Sequence, residues 1–181
     1  MGFYRKSIRL KNYDYSKAGA YFVTICTKDH TWVFGKVNGG FMYLNDYGKI
    51  ARKCWEEIPK HFPNVKIDLY IIMPNHIHGI LWLCDSEVDV GERHASPLHL
   101  PHLNGNQIIK KPKLYTVVGS FKSAVTKKIN ILNDHSGKSM WQRSFYEHIV
   151  KDDISLNKIR KYIQFNPLNW YRDNHIINKN I

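Results

Sequence analysis

The chain has 181 residues, 43% of them hydrophobic, and a formal net charge of +12 at pH 7. This length predicts one domain over residues 1–181, and every apolar run is shorter than the roughly 18 residues that cross a bilayer. The three cysteines are widely spaced, which argues against a disulfide framework and for a reducing compartment. We therefore expect a cytoplasmic protein with no membrane contact. The positive net charge indicates nucleic acid as the partner, so we expect the protein to be associated with the nucleoid when it is bound to DNA.

The chain begins with a basic arm over residues 1–19, in which aromatic side chains are interleaved with positive charges. Such a segment can follow a phosphate backbone and stack on bases. The candidate contacts to nucleic acid in the arm are Arg5, Lys6, Arg9 and Lys11. Residues 20–28, rich in β-branched and aromatic types, predict the first strand.

A hairpin and a helix are predicted next. Residues 32–37 and 41–44 flank an Asn-Gly-Gly turn, the usual sequence of a tight hairpin. The helix covers about 46–58, starts at an Asn or Asp cap, and ends before Pro59.

The middle of the chain predicts two strands, a long loop and a second helix. The apolar runs 66–73 and 76–83 are separated by a Pro-Asn turn and predict adjacent antiparallel strands. Residues 85–113 predict a loop, and its histidines receive no role: His94, His99 and His102. Residues 114–133 have a helical apolar stripe. The basic residues proposed to contact DNA from here onward are Lys122, Lys127, Lys128 and Arg143.

The last helix is predicted over about 154–166, ending at Pro167 because proline disrupts a helix interior. Residues 171–181 are expected to form a polar tail. The order of these elements predicts an α+β fold, a ferredoxin-like antiparallel sheet with helices packed on one face.

Two histidines form the first candidate site. His76 and His78 are two residues apart on a predicted strand, so both side chains lie on the same face of the sheet. Paired imidazoles on a rigid strand can hold one divalent metal ion. A pair of hydrogen-bonded structural histidines would have the same spacing.

Tyr162 and Asn166 form the second candidate site, one helical turn apart on the apolar face of the last helix. A phenol that faces a metal site is a candidate nucleophile for phosphoryl transfer. An amide oxygen is a ligand that Mg²⁺ or Mn²⁺ accepts beside imidazoles. Taken alone, Tyr162 could equally be a core tyrosine.

Several motifs, taken in order, resemble the HUH single-strand DNA endonucleases. The motifs are Met73-Pro74-Asn75-His76-Ile77-His78, Trp141-Gln142, Phe145, Glu147-His148 and Tyr162-Ile163-Gln164-Phe165-Asn166-Pro167. The chain is identified as a member of the single-tyrosine HUH transposases, and it most resembles the REP-associated tyrosine transposases.

The resemblance implies a metal-dependent enzyme that cleaves and rejoins single-stranded or hairpin DNA through a 5′-phosphotyrosine. It implies Tyr162 as nucleophile and His76, His78 and Asn166 as ligands of Mg²⁺ or Mn²⁺. Glu147 and His148 match the family as supporting residues. Relatives include monomers and homodimers, so either state is compatible with the resemblance.

Three other functions remain open at this point. A ferredoxin-like module could bind nucleic acid without catalysis, through aromatics on an open sheet face. A metal-dependent hydrolase could use activated water, with Tyr162 structural. A domesticated relative could process host repeats without mobilising itself.

Overall fold

The structure of the protein is a computed structural model. It describes residues 14–85, 112–134 and 139–177, and it describes side chains as far as Trp170. The elements are β1 (Gly19–Cys26), β2 (Gly35–Asn38), β3 (Phe41–Leu44), α1 (Asp46–Glu56), α2 (Ile58–His61), β4 (Val65–Ile72), β5 (His76–Leu83), α3 (Leu114–Leu132), β6 (Tyr146–Val150) and α4 (Asp153–Ile177). The basic residues predicted in the arm, Arg5, Lys6, Arg9 and Lys11, lie outside the described residues. So do the loop histidines His94, His99 and His102. The single domain over 1–181 stays a prediction.

The main sheet has the order β4-β5-β1-β6, and all its neighbouring strands are antiparallel. Together with α1 and α3, these strands follow one another along the chain as β1-α1-β4-β5-α3-β6. This is the ferredoxin-like arrangement, in which each helix connects two parallel strands across an intervening one. The predicted α+β class and antiparallel sheet are confirmed.

The larger core lies between one face of the sheet and the helices α1–α3. Tyr21, Val23 and Ile25 of β1 contribute to it and are fully buried. Gly79 interrupts the apolar run of β5 because a Cβ atom there would overlap the ring of Trp55, which lies on α1 and is also fully buried. The small residue therefore lets this large aromatic side chain pack directly onto the strand backbone.

A smaller core lies on the opposite face, between the sheet and α4. Its buried residues are Ala20, Phe22, Ile80, Leu156 and Ile163. The ferredoxin-like helices α1 and α3 do lie on one face, as predicted, but α4 is an addition on the other. The prediction that the helices cover a single face of the sheet is therefore wrong for α4. The second face can also be covered because β1 presents apolar side chains on both faces.

Helix α4 continues through Pro167 to Ile177, so the predicted end of the helix at Pro167 is wrong, whereas the polar tail over 171–181 stays a prediction. Proline removes one backbone hydrogen bond from a helix. Here the following turn has tertiary contacts that offset this loss. Trp170 is buried with Val37 and Met73, and Leu168 lies against Gly40 at the tip of the β2–β3 hairpin.

Two strands differ from the prediction: β6 was not predicted, and β2 begins later than predicted. Strand β6 pairs with β1 at the sheet edge, in a segment too rich in polar groups to be assigned from its pattern. The predicted strand over 32–37 begins only at Gly35, because Val33 N and Phe34 N both donate to Pro74 O instead of a sheet partner. Among the helices within the described ranges, none combines the length and apolar character needed to span a bilayer.

A charged cluster fixes α4 against the sheet. Asp68 on β4 accepts hydrogen bonds from Arg160 Nη2 at 2.6 Å, Arg160 Nε at 3.0 Å and Trp82 Nε1 at 3.0 Å. The Arg160 hydrogen bonds, and next the Trp82 hydrogen bond, outweigh burial and lower the pKa of Asp68 to about 2. The ionised carboxylate is therefore the form that holds the helix.

We expect Asp68→Asn to lower the free energy of unfolding by about 1–2 kcal/mol at pH 7, since charge-assisted hydrogen bonds are lost. The folded-state pKa of Asp68 lies below the ordinary 3.8. Its contribution should therefore be complete above pH 4 and fade as the pH falls towards 2. Urea unfolding at both ends of this range measures the difference. Asp46→Asn, at an exposed ion pair with Lys49, is the control and should have little effect; equal losses would contradict the assignment.

Candidate active site

The two histidines lie at the start of β5, directly after the Pro74-Asn75 turn. In the register with β1, His76 is opposite Cys26 and His78 is opposite Thr24. Their side chains lie on the face covered by α4, as the alternation predicts, and their ring centroids are 4.4 Å apart.

Each imidazole has its Nδ1 atom in a hydrogen bond, which orients the ring. His78 Nδ1 lies 2.8 Å from Thr24 Oγ1, and His76 Nδ1 lies 2.7 Å from Asn75 Oδ1. The Asn75 oxygen is an acceptor, so His76 carries its proton on Nδ1 and its Nε2 has a free lone pair. His76 Nε2 is buried and has no hydrogen-bond partner among the described residues. A buried nitrogen of this kind is what a metal ligand requires.

Burial keeps both rings neutral. It lowers the pKa of His76 to about 4, against a smaller opposing effect from the neighbouring Asn166 side chain. It also lowers the pKa of His78 well below the ordinary value, and the nearby His76 adds to this effect. Neutral imidazole is the form that binds metal, and both rings are in this form at neutral pH.

Tyr162 extends from α4 towards the same two rings. Its hydroxyl oxygen lies 3.3 Å from His78 Nε2, and the two ring centroids are 5.1 Å apart. The ring also meets Phe22 edge-on at 6.1 Å. Tyr162 is nevertheless 47% exposed, so part of this residue is open to solvent while its hydroxyl contacts His78.

Asn166, one turn further along α4, is 4% exposed and interacts with His76. The structure thus brings together all four of the residues that the sequence predicted for the site. Within the described ranges, no cluster of three or more His, Cys, Asp or Glu side chains is arranged for a metal. The available donors are two imidazole nitrogens and an amide oxygen, which suit a divalent cation whose remaining ligands are water or substrate oxygens.

The two supporting candidates separate onto opposite faces of β6. Glu147 pairs with Val23 and therefore lies on the face of the larger core, away from His78. His148 pairs with Phe22, on the face of the site, and is exposed. The structure does not bring Glu147 to the metal candidates.

The predicted basic contacts are also divided. Lys122, Lys127 and Lys128 belong to α3, in the helical layer opposite α4. Lys122 Nζ donates to Gln142 O at 2.6 Å, and Lys128 pairs with Glu57 at 3.0 Å. Arg143 is better placed. It follows Gln142, whose backbone nitrogen donates to Cys26 O beside His76.

Two residues of the site escaped sequence reasoning. Thr24 orients His78, but its place opposite that histidine depends on the β1–β5 register, which no local pattern specifies. Trp170 packs on His76 with ring centroids 5.8 Å apart. Tyr162, Asn166 and Trp170 follow one another at intervals of one helical turn. This spacing would have placed Trp170 at the site if the helix had been predicted to continue past Pro167.

The chain is similar to known proteins both in sequence and in fold. A Haemophilus influenzae protein named only as uncharacterized is 40% identical over 177 residues, covering 94% of this chain and 92% of that protein. Another protein of that organism, named "Putative REP-associated tyrosine transposase", is 28% identical over 165 residues, with coverages of 88% and 77%. No family model matches the sequence.

The fold is also similar to a solved structure of a REP-associated tyrosine transposase bound to a REP hairpin. The TM-score is 0.57 at 17% identity, covering 93% of this chain and 74% of that one. The fold and the sequence relatives place the chain among transposase-like, DNA-processing proteins. Its sequence and its fold are similar to those of REP-associated tyrosine transposases.

The buried neutral histidines predict a loss of stability in acid. The unfolded chain protonates His76 near the ordinary 6.5, whereas the folded state resists protonation down to about 4. The free energy of unfolding should therefore fall as the pH drops from 6.5 towards 4. Denaturant unfolding in the presence of a chelator measures this slope.

His76→Gln should flatten that slope, because the variant has one group fewer to protonate on unfolding. Gln164→Asn, at an exposed position of α4, removes no ionisable group; it is the control and should leave the slope as in the wild type. A slope unchanged by His76→Gln would show that His76 is not held neutral.

Proposed function

We propose that the chain is a metal-dependent endonuclease and strand transferase for single-stranded DNA, of the single-tyrosine HUH type. The observation that carries the proposal is the contact between Tyr162 and His78, with hydroxyl oxygen and Nε2 3.3 Å apart. It joins a half-exposed tyrosine to two neutral imidazoles, of which His78 is buried and His76 is half-buried, the combination that tyrosine-dependent phosphoryl transfer needs.

His76, His78 and Asn166 are the residues that would hold the metal ion, with Mg²⁺ or Mn²⁺ the best match to an amide oxygen and water ligands. The buried His76 Nε2, which has no hydrogen-bond partner in the part of the chain that the structure describes, supports this assignment. When bound, the ion supplies Lewis-acid stabilisation of negative charge on the scissile phosphate. Thr24 and Asn75 hold the two rings in orientation through their Nδ1 atoms.

The chemical step is a transesterification at phosphorus. The Tyr162 oxygen forms a bond to phosphorus while the bond from phosphorus to the 3′ oxygen breaks, leaving a 5′-phosphotyrosine and a 3′-hydroxyl. If His78 Nε2 binds the metal it cannot also accept the phenol proton, so solvent takes that proton and supplies one to the leaving oxygen. The half-exposed Tyr162 side chain allows this exchange. Attack by a 3′-hydroxyl on the phosphotyrosine reverses the step and rejoins a strand.

The proposed substrate is single-stranded DNA next to a hairpin of the REP type. The formal charge of +12 favours binding to a polyanion, and the structurally similar transposase is bound to a REP hairpin. The noncatalytic alternative is less well supported. It needs an open sheet face with exposed aromatics, whereas Phe22 is 8% exposed beneath α4.

Tyr162→Phe should abolish cleavage and the covalent protein–DNA adduct, because it removes the attacking oxygen and keeps the ring that packs on Phe22. Mass spectrometry with peptide mapping, after incubation with single-stranded or hairpin DNA and Mn²⁺, detects the adduct.

Tyr146→Phe is the matched control and should retain both activities. Tyr146 is 44% exposed and its ring centroid lies 6.3 Å from that of Phe22, but it belongs to the edge strand β6. An adduct on Tyr146 would reassign the nucleophile. Wild-type cleavage by Tyr162→Phe without any adduct would favour attack by metal-activated water.

His76→Ala and His78→Ala should each weaken Mn²⁺ binding, measured by electron paramagnetic resonance, and abolish metal-stimulated cleavage. Asn166→Ala should have a milder effect, because water can replace a neutral oxygen ligand. His61→Ala, at the exposed end of α2, is the control. Wild-type Mn²⁺ binding by both His76→Ala and His78→Ala would mean that the metal site has been misassigned.

A further inference from the structure

Trp32 lies at the solvent-facing end of an aromatic surface that begins at His76. The ring centroid of Trp170 is 5.8 Å from that of His76, and the ring centroid of Trp32 is 5.6 Å from that of Trp170. Trp170 is 4% exposed, whereas Trp32 is 57% exposed. A large aromatic surface is therefore open to solvent two ring contacts from the proposed metal site.

The backbone that carries Trp32 is tied to the turn that precedes His76. Val33 N and Phe34 N donate to Pro74 O at 2.8 and 3.0 Å, and Asn75 Nδ2 donates to His30 O at 3.2 Å. These hydrogen bonds lie on both sides of Trp32 in sequence. The side chain is consequently carried by a backbone that is fixed relative to the histidine strand.

The turn before Trp32 is also strained. Asp29 and His30 have φ angles of 53° and 52°, the left-handed region that non-glycine residues rarely adopt. Such strain is concentrated at ligand-binding and catalytic sites. The strained turn leads directly to the exposed Trp32 side chain.

We propose that Trp32 is a stacking platform for an unpaired nucleobase of the strand that Tyr162 cleaves. This inference rests on the proposed function, because it requires a single strand in the site. Indole stacks on any base and adds affinity without reading sequence. Within four residues of Trp32 along the chain, the exposed Lys28 and Lys36 outnumber the acidic Asp29, a balance that suits a phosphate backbone.

The test is a double-mutant cycle in which the indole of Trp32 is removed from the protein and the bases are removed from the DNA. Binding of a fluorescent oligothymidine of about 12 nucleotides is compared with binding of an equally long abasic strand. Tyr162→Phe serves as the background, so that the DNA is not cleaved during the titration. Trp32→Ala should weaken oligothymidine binding about 10-fold, the effect typical of one lost stacking contact. It should leave abasic-strand binding and the salt dependence unchanged, because phosphate contacts are retained.

Trp32→Tyr keeps a stacking ring and should retain most of the affinity, which guards against a folding defect in the alanine variant. Tyr115→Ala removes an aromatic of similar exposure, 46%, from α3 in the opposite layer. It should change neither titration. If Trp32→Ala weakened the binding of both strands equally, or weakened the binding of neither, the assignment of Trp32 as a stacking platform would be wrong.

The platform and the proposed function can fail separately. A Tyr162 adduct in the wild-type protein without coupling between Trp32 and the bases overturns the platform alone. Coupling without any adduct supports the platform and overturns the nuclease. Absence of binding to both strands by every protein overturns both.

Discussion

The packing of α4 across the second face of the sheet is the interaction on which the candidate site depends. Leu156 and Ile163 anchor the helix on Ala20, Phe22 and Ile80. Without this contact, His76 and His78 would lie on an open sheet face, as in a simple ferredoxin-like domain. Because α4 packs here, Tyr162 and Asn166, one helical turn apart, lie beside the two histidines of β5. The site is thus defined by one helix and one strand.

The site is built at some cost to stability. Two imidazoles are buried where they cannot easily be protonated, and one buried nitrogen has no partner among the described residues. Buried polar groups destabilise a fold unless they are satisfied. The hydrogen bonds with Thr24 and Asn75 satisfy the Nδ1 atom of each ring, and the Tyr162 hydroxyl lies 3.3 Å from His78 Nε2. The surrounding apolar contacts of α4 and its ionic contact through Arg160 and Asp68 help to offset this cost.

Sequence reasoning succeeded where the structure is specified locally. The Asn-Gly-Gly turn of the hairpin has two glycines with positive φ, 56° and 77°, and the strands β4 and β5 follow from their apolar runs. The shared face of His76 and His78 follows from strand alternation alone. The proximity of Tyr162 required the family resemblance, because the pattern on α4 does not say which sheet face the helix covers.

The failures have a common physical origin in tertiary contacts. Pro167 is accommodated because Trp170 and Leu168 pack beyond it. Strand β6 forms because β1 offers an unpaired edge. The segment around Trp32 has strand-like composition, yet its amides bind Pro74 O. In each case, partners distant in sequence override the local preference.

A metal held by the β5 histidines should lie beside the Tyr162 ring. Nuclear magnetic resonance of the protein with ¹³C-labelled tyrosine rings measures this directly during titration with paramagnetic Mn²⁺, and the Tyr162 signal is identified by its absence in Tyr162→Phe. The Tyr162 ring signal should broaden first, while that of Tyr115 on α3 stays sharp. A Tyr162 signal that remains sharp once Mn²⁺ is bound would contradict it.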